Sequence, residues 1–137
     1  MEQALVDYIL KQHAEADAWM AAGPDRWMGK LPDPADTEYW TQRVPSGTLA
    51  EFQRIELEED AYYTIAEAYS KSYARAHDFS SMTDAELQAE IDSASQVITR
   101  EIEREKQEKA EQEALLDRIA NDIDVDRETL DRWLEAA

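Results

Sequence analysis

Every glycine and proline of this chain lies within its first 47 residues. Residues 48–137 contain neither, and they are rich in alanine, glutamate, glutamine, arginine and leucine. Glycine and proline interrupt helices more strongly than any other residues, whereas those five types favour them. The sequence therefore predicts an all-α fold with unusually long helices, in a chain whose 137 residues suit a single domain.

The N-terminal segment has the spacing of a helix. Leu5 and Ile9 belong to a set of apolar residues that recur every three or four positions. The pair Gly23-Pro24 follows, and we expect the glycine to cap the helix and the proline to prevent its continuation. These signals predict a first helix over residues 2–21.

The segment 23–47 concentrates the helix breakers together with three large aromatic residues, Trp27, Tyr39 and Trp40. A simple linker would not usually carry so much apolar surface. We therefore predict an irregular segment that packs onto the helices, with one short helix near residues 36–43.

A capping box predicts the start of the second helix. In Thr48-Leu49-Ala50-Glu51, we expect the threonine hydroxyl to accept a hydrogen bond from an otherwise unpaired helix amide. We expect the glutamate side chain to accept one from the backbone amide of the threonine. The helix is predicted to continue without a break to about residue 77. Its predicted apolar stripe comprises Phe52, Ile55, Tyr62, Ile65 or Ala66, Tyr69, Tyr73 and Ala76.

A second capping box, Thr83-Asp84-Ala85-Glu86, predicts the start of a third helix that extends to about residue 121. Met82 and Leu87 flank it with the spacing of a hydrophobic staple. Residues 103–113 within this helix are almost wholly polar. This predicts a stretch that either projects into solvent or lies in a loose helix pair, and it suggests a homodimer.

Two long helices joined by a turn at 78–81 should fold back as an antiparallel hairpin. If residues at equal distances from residue 80 lie side by side, this reflection about residue 80 places Glu56, Glu59 and Asp60 opposite Arg100 and Arg104. It also places Asp84 opposite Arg75. We expect these opposite charges to favour that register. The predicted organisation is a single all-α domain with an N-terminal helix (1–22), an irregular packed segment (23–47), a long helical hairpin (48–121) and a C-terminal short helix (122–137).

The C-terminal sequence resembles a helix-turn-helix over residues 114–134. The matching residues are Ala120 at the helix crossing, Ile123 and Val125 around the turn, Thr129-Leu130 in the second helix, and Trp133-Leu134 at its end. The turn has Asp124 where the family usually has glycine, and we expect aspartate to be tolerated there because it adopts the left-handed conformation more readily than most residues. Asp126 is the expected N-cap of the second helix.

The resemblance implies binding of duplex DNA through that second helix, with Arg127 and Arg132 as the residues available to hold phosphates. The helix nevertheless carries more carboxylates than guanidinium groups, which is the wrong sign for phosphate contact. We therefore favour a small helical hairpin that packs on the rest of the chain or on a partner protein.

The chain carries 32 acidic and 14 basic side chains, a formal net charge of −18. This charge opposes direct binding to nucleic acid or to anionic lipid. It is explained by solvation alone, by mimicry of DNA, or by attraction to a basic protein. In composition, the chain resembles small phage-encoded acidic anti-defence proteins and DNA mimics, such as some anti-CRISPR and antirestriction proteins.

Catalytic and metal-binding patterns are weak. There is no cysteine, only two histidines are present, and no glycine-rich phosphate loop occurs. Asp122-x-Asp124-x-Asp126 has Arg127 where a calcium loop needs glycine, and Glu56-x-x-Glu59 has no matching acidic pair for Mg²⁺. We predict no catalytic residue, no metal and no cofactor.

No segment has the length of a membrane span, and the N-terminus lacks the basic start of a signal peptide. We expect an unprocessed, soluble, cytoplasmic protein.

The leading hypothesis is a non-enzymatic protein that binds, and inhibits or regulates, a basic partner protein, with nucleic-acid-binding proteins as one candidate class of partner. The alternative is a helix-turn-helix transcriptional regulator that binds DNA as a dimer. Exposed aromatic residues are candidate contacts as well as candidate core residues. The partner-binding candidates are Glu56, Glu59, Asp60, Tyr63, Glu105, Glu108, Glu111, Asp122, Asp124, Asp126, Asp131, Trp27 and Trp40.

Overall fold

The computed structural model describes all 137 residues and contains helices but no strands, which confirms the all-α prediction. The chain divides into two compact units, Met1–Ile91 and Asp92–Ala137. None of the helices combines the length and the apolar character needed to cross a membrane. The helices are α1 (Gln3–Ala21), α2 (Thr37–Arg43), α3 (Leu49–Ala68), α4 (Lys71–Arg75), α5 (Asp84–Asp122) and α6 (Arg127–Ala136), with a 3₁₀ turn at Phe79–Ser81.

The first two helices begin and end close to their predicted positions. Asp36 caps α2 by accepting a hydrogen bond from the amide of Tyr39 at 3.2 Å. The end of α1 differs in detail, because Ala22 ends the helix in a right-handed conformation and Gly23 is not left-handed. The glycine that has a positive φ is Gly47, at 68°.

The core of the N-terminal unit gathers side chains from α1, α2 and α3. It contains Leu5, Ile9, Trp40, Val44 and Phe52, each at most 2% exposed. The rings of Trp40 and Phe52 meet edge to face with centroids 5.4 Å apart. Burying these side chains fixes the three helices together, since removing apolar surface from water is the main stabilising term.

The second helix is not continuous, which corrects the prediction of one helix to about residue 77. It ends at Ala68, where Tyr69 leaves helical geometry with φ −125° and ψ −83°. The hydroxyl of Ser70 then accepts from the amide of Tyr73 at 3.0 Å and starts α4. Serine is a strong N-cap residue, so Ser70 was the available signal in a segment without glycine or proline.

The break also changes which residues are buried. Phe52 and Ile65 of the predicted stripe are buried, and so are the small residues Ala61 and Ala74. Tyr69 and Tyr73 are instead about half exposed. The predicted stripe is therefore wrong beyond Ile65, because it assumed that the helical period continued through the break.

The hairpin register predicted by reflection about residue 80 is also wrong. Arg54, near the start of α3, pairs with Asp84 at 2.5 Å and donates to the carbonyls of Phe79 and Met82. The chain thus returns along α3 before α5 begins, and Asp84 lies beside Arg54 rather than Arg75.

The predicted charge pairs are replaced as well. Glu59 pairs with Arg43 at 2.6 Å, and Arg104 pairs with Glu101 and Glu108 on its own helix. Reflection about a single turn could not anticipate these pairs, because the chain between α3 and α5 contains α4 and a 3₁₀ turn.

One capping box forms as predicted and the other forms in part. The hydroxyl of Thr83 accepts from the amide of Glu86, and the Glu86 carboxylate accepts from the amide of Thr83, both at 3.1 Å. Thr48 accepts from the Glu51 amide at 3.2 Å, but the Glu51 carboxylate accepts from the amide of Ser46 instead of Thr48. The Ser46 hydroxyl accepts from the Thr48 amide, so that amide is satisfied without the glutamate.

The C-terminal unit consists of α5 from Asp92 onward and α6. Residues 99–115 are all exposed, which confirms the predicted solvent exposure of 103–113. Asp124 adopts the predicted left-handed conformation with φ 57°. Asp126 caps α6 as predicted by accepting from the amide of Thr129 at 2.7 Å.

We predict that Leu87→Asp destabilises the N-terminal unit strongly. Leu87 is fully buried in the first turn of α5, so the change removes apolar burial and places a carboxylate where it has no partner. A loss of about 3–5 kcal/mol is expected, seen as a lower midpoint in a circular dichroism melt. The control is Ala89→Asp, which adds the same charge at an exposed position of the same helix. Equal melting curves for the two variants would contradict the burial of Leu87.

Candidate functional site

Arg127, in the first turn of α6, is surrounded by carboxylates. Its guanidinium contacts Glu113 at 2.8 Å, Asp117 at 2.9 Å and Asp131 at 2.7 Å. Glu113 and Asp117 are one turn apart on α5, so their side chains reach the same point. The hydrogen bonds to Glu113, Asp131 and Asp117 raise the pKa of Arg127 above its ordinary value.

These contacts affect the alternative DNA-binding hypothesis. Arg127 already has three carboxylate partners, so a DNA phosphate would have to compete with them. Arg132 is more available, because its side chain is exposed and makes one long contact, 3.4 Å, to the Thr129 hydroxyl. Of the two arginines, Arg132 alone offers a mostly open guanidinium.

The candidate carboxylates around the turn before α6 have different environments. Asp122 and Asp124 are exposed, while Asp131 is held by Arg127. Hydrogen bonds from the side chain and backbone of Thr129 lower the pKa of the Asp126 carboxyl. Asp122 and Asp124 are therefore the two that face solvent without a structural role in the cap or in the ion-pair cluster.

Large apolar side chains are exposed close to these carboxylates along the chain. Trp133 and Leu134, in the last turns of α6, are 55% and 52% exposed, and Ile123 is 50% exposed. Only Ala94, Ala120 and Leu130 are buried in the whole C-terminal unit. The unit thus keeps more large apolar side chains at its surface than in its interior, which is typical of a surface that binds another molecule.

Four candidates from α3 lie on one face of that helix. Glu56, Glu59, Asp60 and Tyr63 follow the three- and four-residue spacing of a helical face. Glu59 is engaged by Arg43 at 2.6 Å. Tyr63 is 67% exposed, and its ring meets that of Tyr62 edge to face. The structure therefore brings these candidates together, with Asp60 and Tyr63 as the most accessible.

Glu56 is the least accessible carboxylate of that group. It is half-buried and accepts a hydrogen bond from the Tyr8 hydroxyl at 3.3 Å, in a surface cleft of about 460 Å³ that Arg54 and Asp60 also line. Burial raises the pKa of the Glu56 carboxyl, while the Tyr8 hydroxyl acts in the opposite direction. Glu56 therefore both lines the cleft and, through Tyr8, connects α3 to α1.

The two tryptophan candidates of the 23–47 segment have opposite environments. Trp27 is 80% exposed and is available to a partner. Trp40 is 2% exposed, and its indole NH donates to the carbonyls of Pro32 and Asp33 at 3.2 and 3.0 Å. Its inclusion among the partner-binding residues is therefore corrected: Trp40 is a core residue.

The candidates in the middle of α5 are all exposed. Glu108 accepts from Arg104 at 2.5 Å, and Glu111 accepts from Gln107 at 3.1 Å. Glu105 makes no hydrogen bond or ion pair within the chain. These side chains belong to the C-terminal unit, whereas the α3 group belongs to the N-terminal unit.

Sequence reasoning missed two features. The carboxylate cluster around Arg127 was signalled by Asp131, four residues later, and by the one-turn spacing of Glu113 and Asp117. A row of aromatic contacts at the helix break was hidden by the assumption of a continuous helix. The row consists of Tyr69, Tyr73, His77 and Phe79, with successive centroid distances of 5.0, 4.9 and 5.4 Å.

No three histidine, aspartate or glutamate side chains come together in a way that could hold a metal ion. Comparison with protein-family models, curated proteins and solved structures finds no match to this chain. The helix-turn-helix and anti-defence resemblances therefore stay predictions.

We predict that Glu56→Gln raises the melting temperature at pH 7 by about 1–3 °C. Burial raises the folded-state pKa of Glu56, so the ionised carboxylate costs stability above that pKa, and the cost disappears as the pH falls through it. The amide removes the charge and still accepts from Tyr8. The difference between variant and wild type should therefore shrink as the pH is lowered toward about 4.

The matched control is Glu59→Gln on the same helix face. This variant loses the charge that pairs with Arg43, so its melting temperature at pH 7 should fall. Melts of the three proteins at several pH values test both directions. If Glu56→Gln lowers stability at pH 7 as Glu59→Gln does, the effect attributed to burial is wrong.

Proposed function

We propose that this protein is a non-enzymatic interaction protein that binds, and inhibits or regulates, a basic partner protein through the acidic surface of its C-terminal unit. The single observation that carries the proposal is the exposure of Trp133 in a helix whose Arg127 is already paired with carboxylates. Tryptophan is among the residues that contribute most to protein interfaces. Its exposure on a charged helix therefore favours a binding role.

The electrostatics of this surface favour a cationic partner. Residues 122–137 contain six carboxylates and two guanidinium groups. One of those guanidiniums, on Arg127, has three carboxylate contacts. An excess of exposed negative charge accelerates association with a positive surface and disfavours acidic partners.

A partner that normally binds nucleic acid would fit this charge, because its binding groove presents rows of lysine and arginine. The compositional resemblance to anti-defence proteins and DNA mimics supports the same class of partner. In this proposal the carboxylates replace phosphates and the exposed apolar side chains add contacts that DNA cannot make.

The proposal is tested by capturing the partner and measuring its affinity. The wild-type protein is immobilised, the bound protein is identified, and binding of the purified partner is measured by calorimetry at several salt concentrations. We expect a basic partner whose affinity falls as salt rises, because screening weakens charge attraction. Trp133→Ala should weaken binding at least about tenfold, as expected for a central interface aromatic residue.

Trp27→Ala is the matched control, since it removes an exposed tryptophan from the other unit. If Trp27→Ala weakens binding and Trp133→Ala does not, the binding surface is in the N-terminal unit and the assignment to α6 is wrong. An acidic partner, or an affinity that does not change with salt, would reject charge complementarity.

A second candidate, a regulator that binds duplex DNA, is supported by the shape of the turn. α5 ends at Asp122 and α6 begins at Arg127, with Asp124 left-handed between them and Ala120 and Leu130 buried. This arrangement is typical of a helix-turn-helix, whose second helix enters the major groove.

For that candidate, the wild-type protein should shift a duplex in a gel at low salt. Arg132→Glu should abolish the shift, because Arg132 has the more available guanidinium. Lys11→Glu is the control for net charge, since Lys11 is an exposed cation of α1. The absence of any shift, or an equal loss in both variants, would argue against specific contact through α6.

A further inference from the structure

A heptad pattern runs through α5 across its exposed stretch. Eight positions follow one another with alternating spacings of three and four residues, which keeps them on one side of the helix. They span about 36 Å at 1.5 Å per residue. In chain order, they are Ser95, Ile98, Ile102, Glu105, Lys109, Gln112, Leu116 and Ile119.

The pattern is centred on residue 107, and two of its four pairs of positions are chemically complementary. Each of the eight positions has a counterpart at the same distance on the other side of that residue, so the apolar Ile98 corresponds to the apolar Leu116. The acidic Glu105 corresponds to the basic Lys109. The other two pairs, Ser95 with Ile119 and Ile102 with Gln112, each join a polar and an apolar side chain. In a two-fold antiparallel pair of identical helices centred on residue 107, each residue meets its counterpart from the other copy.

The apolar members of the heptad face leave surface exposed. Ile102 is 47% exposed and Ile119 is 38% exposed, while Ile98 and Leu116 are partly buried. A helix face that exposes aliphatic side chains in a heptad is typical of coiled-coil seams.

The polar members of the same face also lack partners. Glu105, Lys109 and Gln112 make no hydrogen bond or ion pair within the chain. Outside the heptad positions, Arg104 pairs with Glu101 and Glu108, and Gln107 donates to Glu111, whereas Glu103 and Lys106 make no such contact. The face that carries the heptad is therefore rich in polar groups without a partner.

We propose that α5 pairs with α5 of a second copy of this chain as an antiparallel coiled coil centred on residue 107. In this arrangement Ile98 packs on Leu116 of the second copy, and Ile102 packs beside Gln112 of the second copy. At the centre, Glu105 faces Lys109 of the second copy, and the symmetry repeats this pair.

Charge complementarity selects the second copy as the occupant. An antiparallel pair places opposite charges together at both central layers, whereas a parallel pair would place Glu105 on Glu105 and Lys109 on Lys109. The proposal concerns residues 95–119, so it does not depend on the function proposed for α6.

The first test is a charge swap at the central layers. Glu105→Lys and Lys109→Glu should each weaken self-association at least about tenfold, because each places like charges in both layers. The double variant E105K/K109E should restore the dimer, since it exchanges the charges without making a like pair. Sedimentation equilibrium over a concentration series measures the dissociation constants.

The two single variants should also recognise each other. The E105K chain carries lysine at both central positions, and the K109E chain carries glutamate at both, so every central contact between the two variants joins opposite charges. An equimolar mixture should therefore form a heterodimer from two weakly associating proteins. Glu103→Lys, an exposed position outside the heptad, changes the net charge as Glu105→Lys does and should leave the dimer unchanged.

The second test uses the absence of cysteine from the chain. Ile102→Cys and Gln112→Cys should cross-link to each other under mild oxidation when the two variants are mixed. Neither should cross-link to itself, because identical positions are about 15 Å apart along an antiparallel pair centred on residue 107, beyond the reach of a disulfide.

Four results would overturn the proposal. They are a wild-type protein that stays monomeric at about 100 µM, single charge variants that dimerise like wild type, a double variant that stays monomeric, and self-cross-linking of Ile102→Cys, which indicates a parallel pair. Circular dichroism of each variant verifies that its helix content is unchanged, so that loss of the dimer is separated from loss of the fold.

Discussion

The N-terminal unit depends on the burial of Trp40. Its indole packs against Phe52 in a core that also holds Leu5 and Ile9, so one side chain from α2 joins α1 to α3. A buried indole needs a partner for its NH, and the carbonyls of Pro32 and Asp33 provide it. The proline-containing segment before α2 is thereby held in place, which explains why a stretch full of helix breakers is ordered against the helices.

Arg54 has a similar role for the turn that precedes α5. One guanidinium contacts Glu58 on its own helix, Asp84 at the start of α5, and two turn carbonyls. Several hydrogen bonds to one planar group fix its position more firmly than isolated surface ion pairs would. The path of the chain after Tyr69 is therefore set by a contact between residues thirty positions apart, which no local pattern encodes.

The C-terminal unit has the opposite character, because it has few buried residues and many exposed apolar ones. Its acidic side chains are either engaged, as around Arg127, or open to solvent, as at Asp122 and Asp124. The two proposals assign this exposed surface to different molecules. The apolar end of α6 is proposed to bind a basic partner, and the heptad face of α5 is proposed to bind a second copy of the chain.

Local signals in the sequence determined the all-α class and the helix starts at Thr48 and Thr83. They also determined the left-handed Asp124 and the solvent exposure of 103–113. Capping and periodicity involve residues only a few positions apart, so a single sequence displays them. Tertiary structure alone decided that the helix breaks at Tyr69, that Trp40 is core rather than surface, and that Arg127 is surrounded by carboxylates. Each of these outcomes depends on partners distant in the chain or on competition among possible neighbours. Packing and desolvation in the folded molecule determine these outcomes, and a single sequence does not display them.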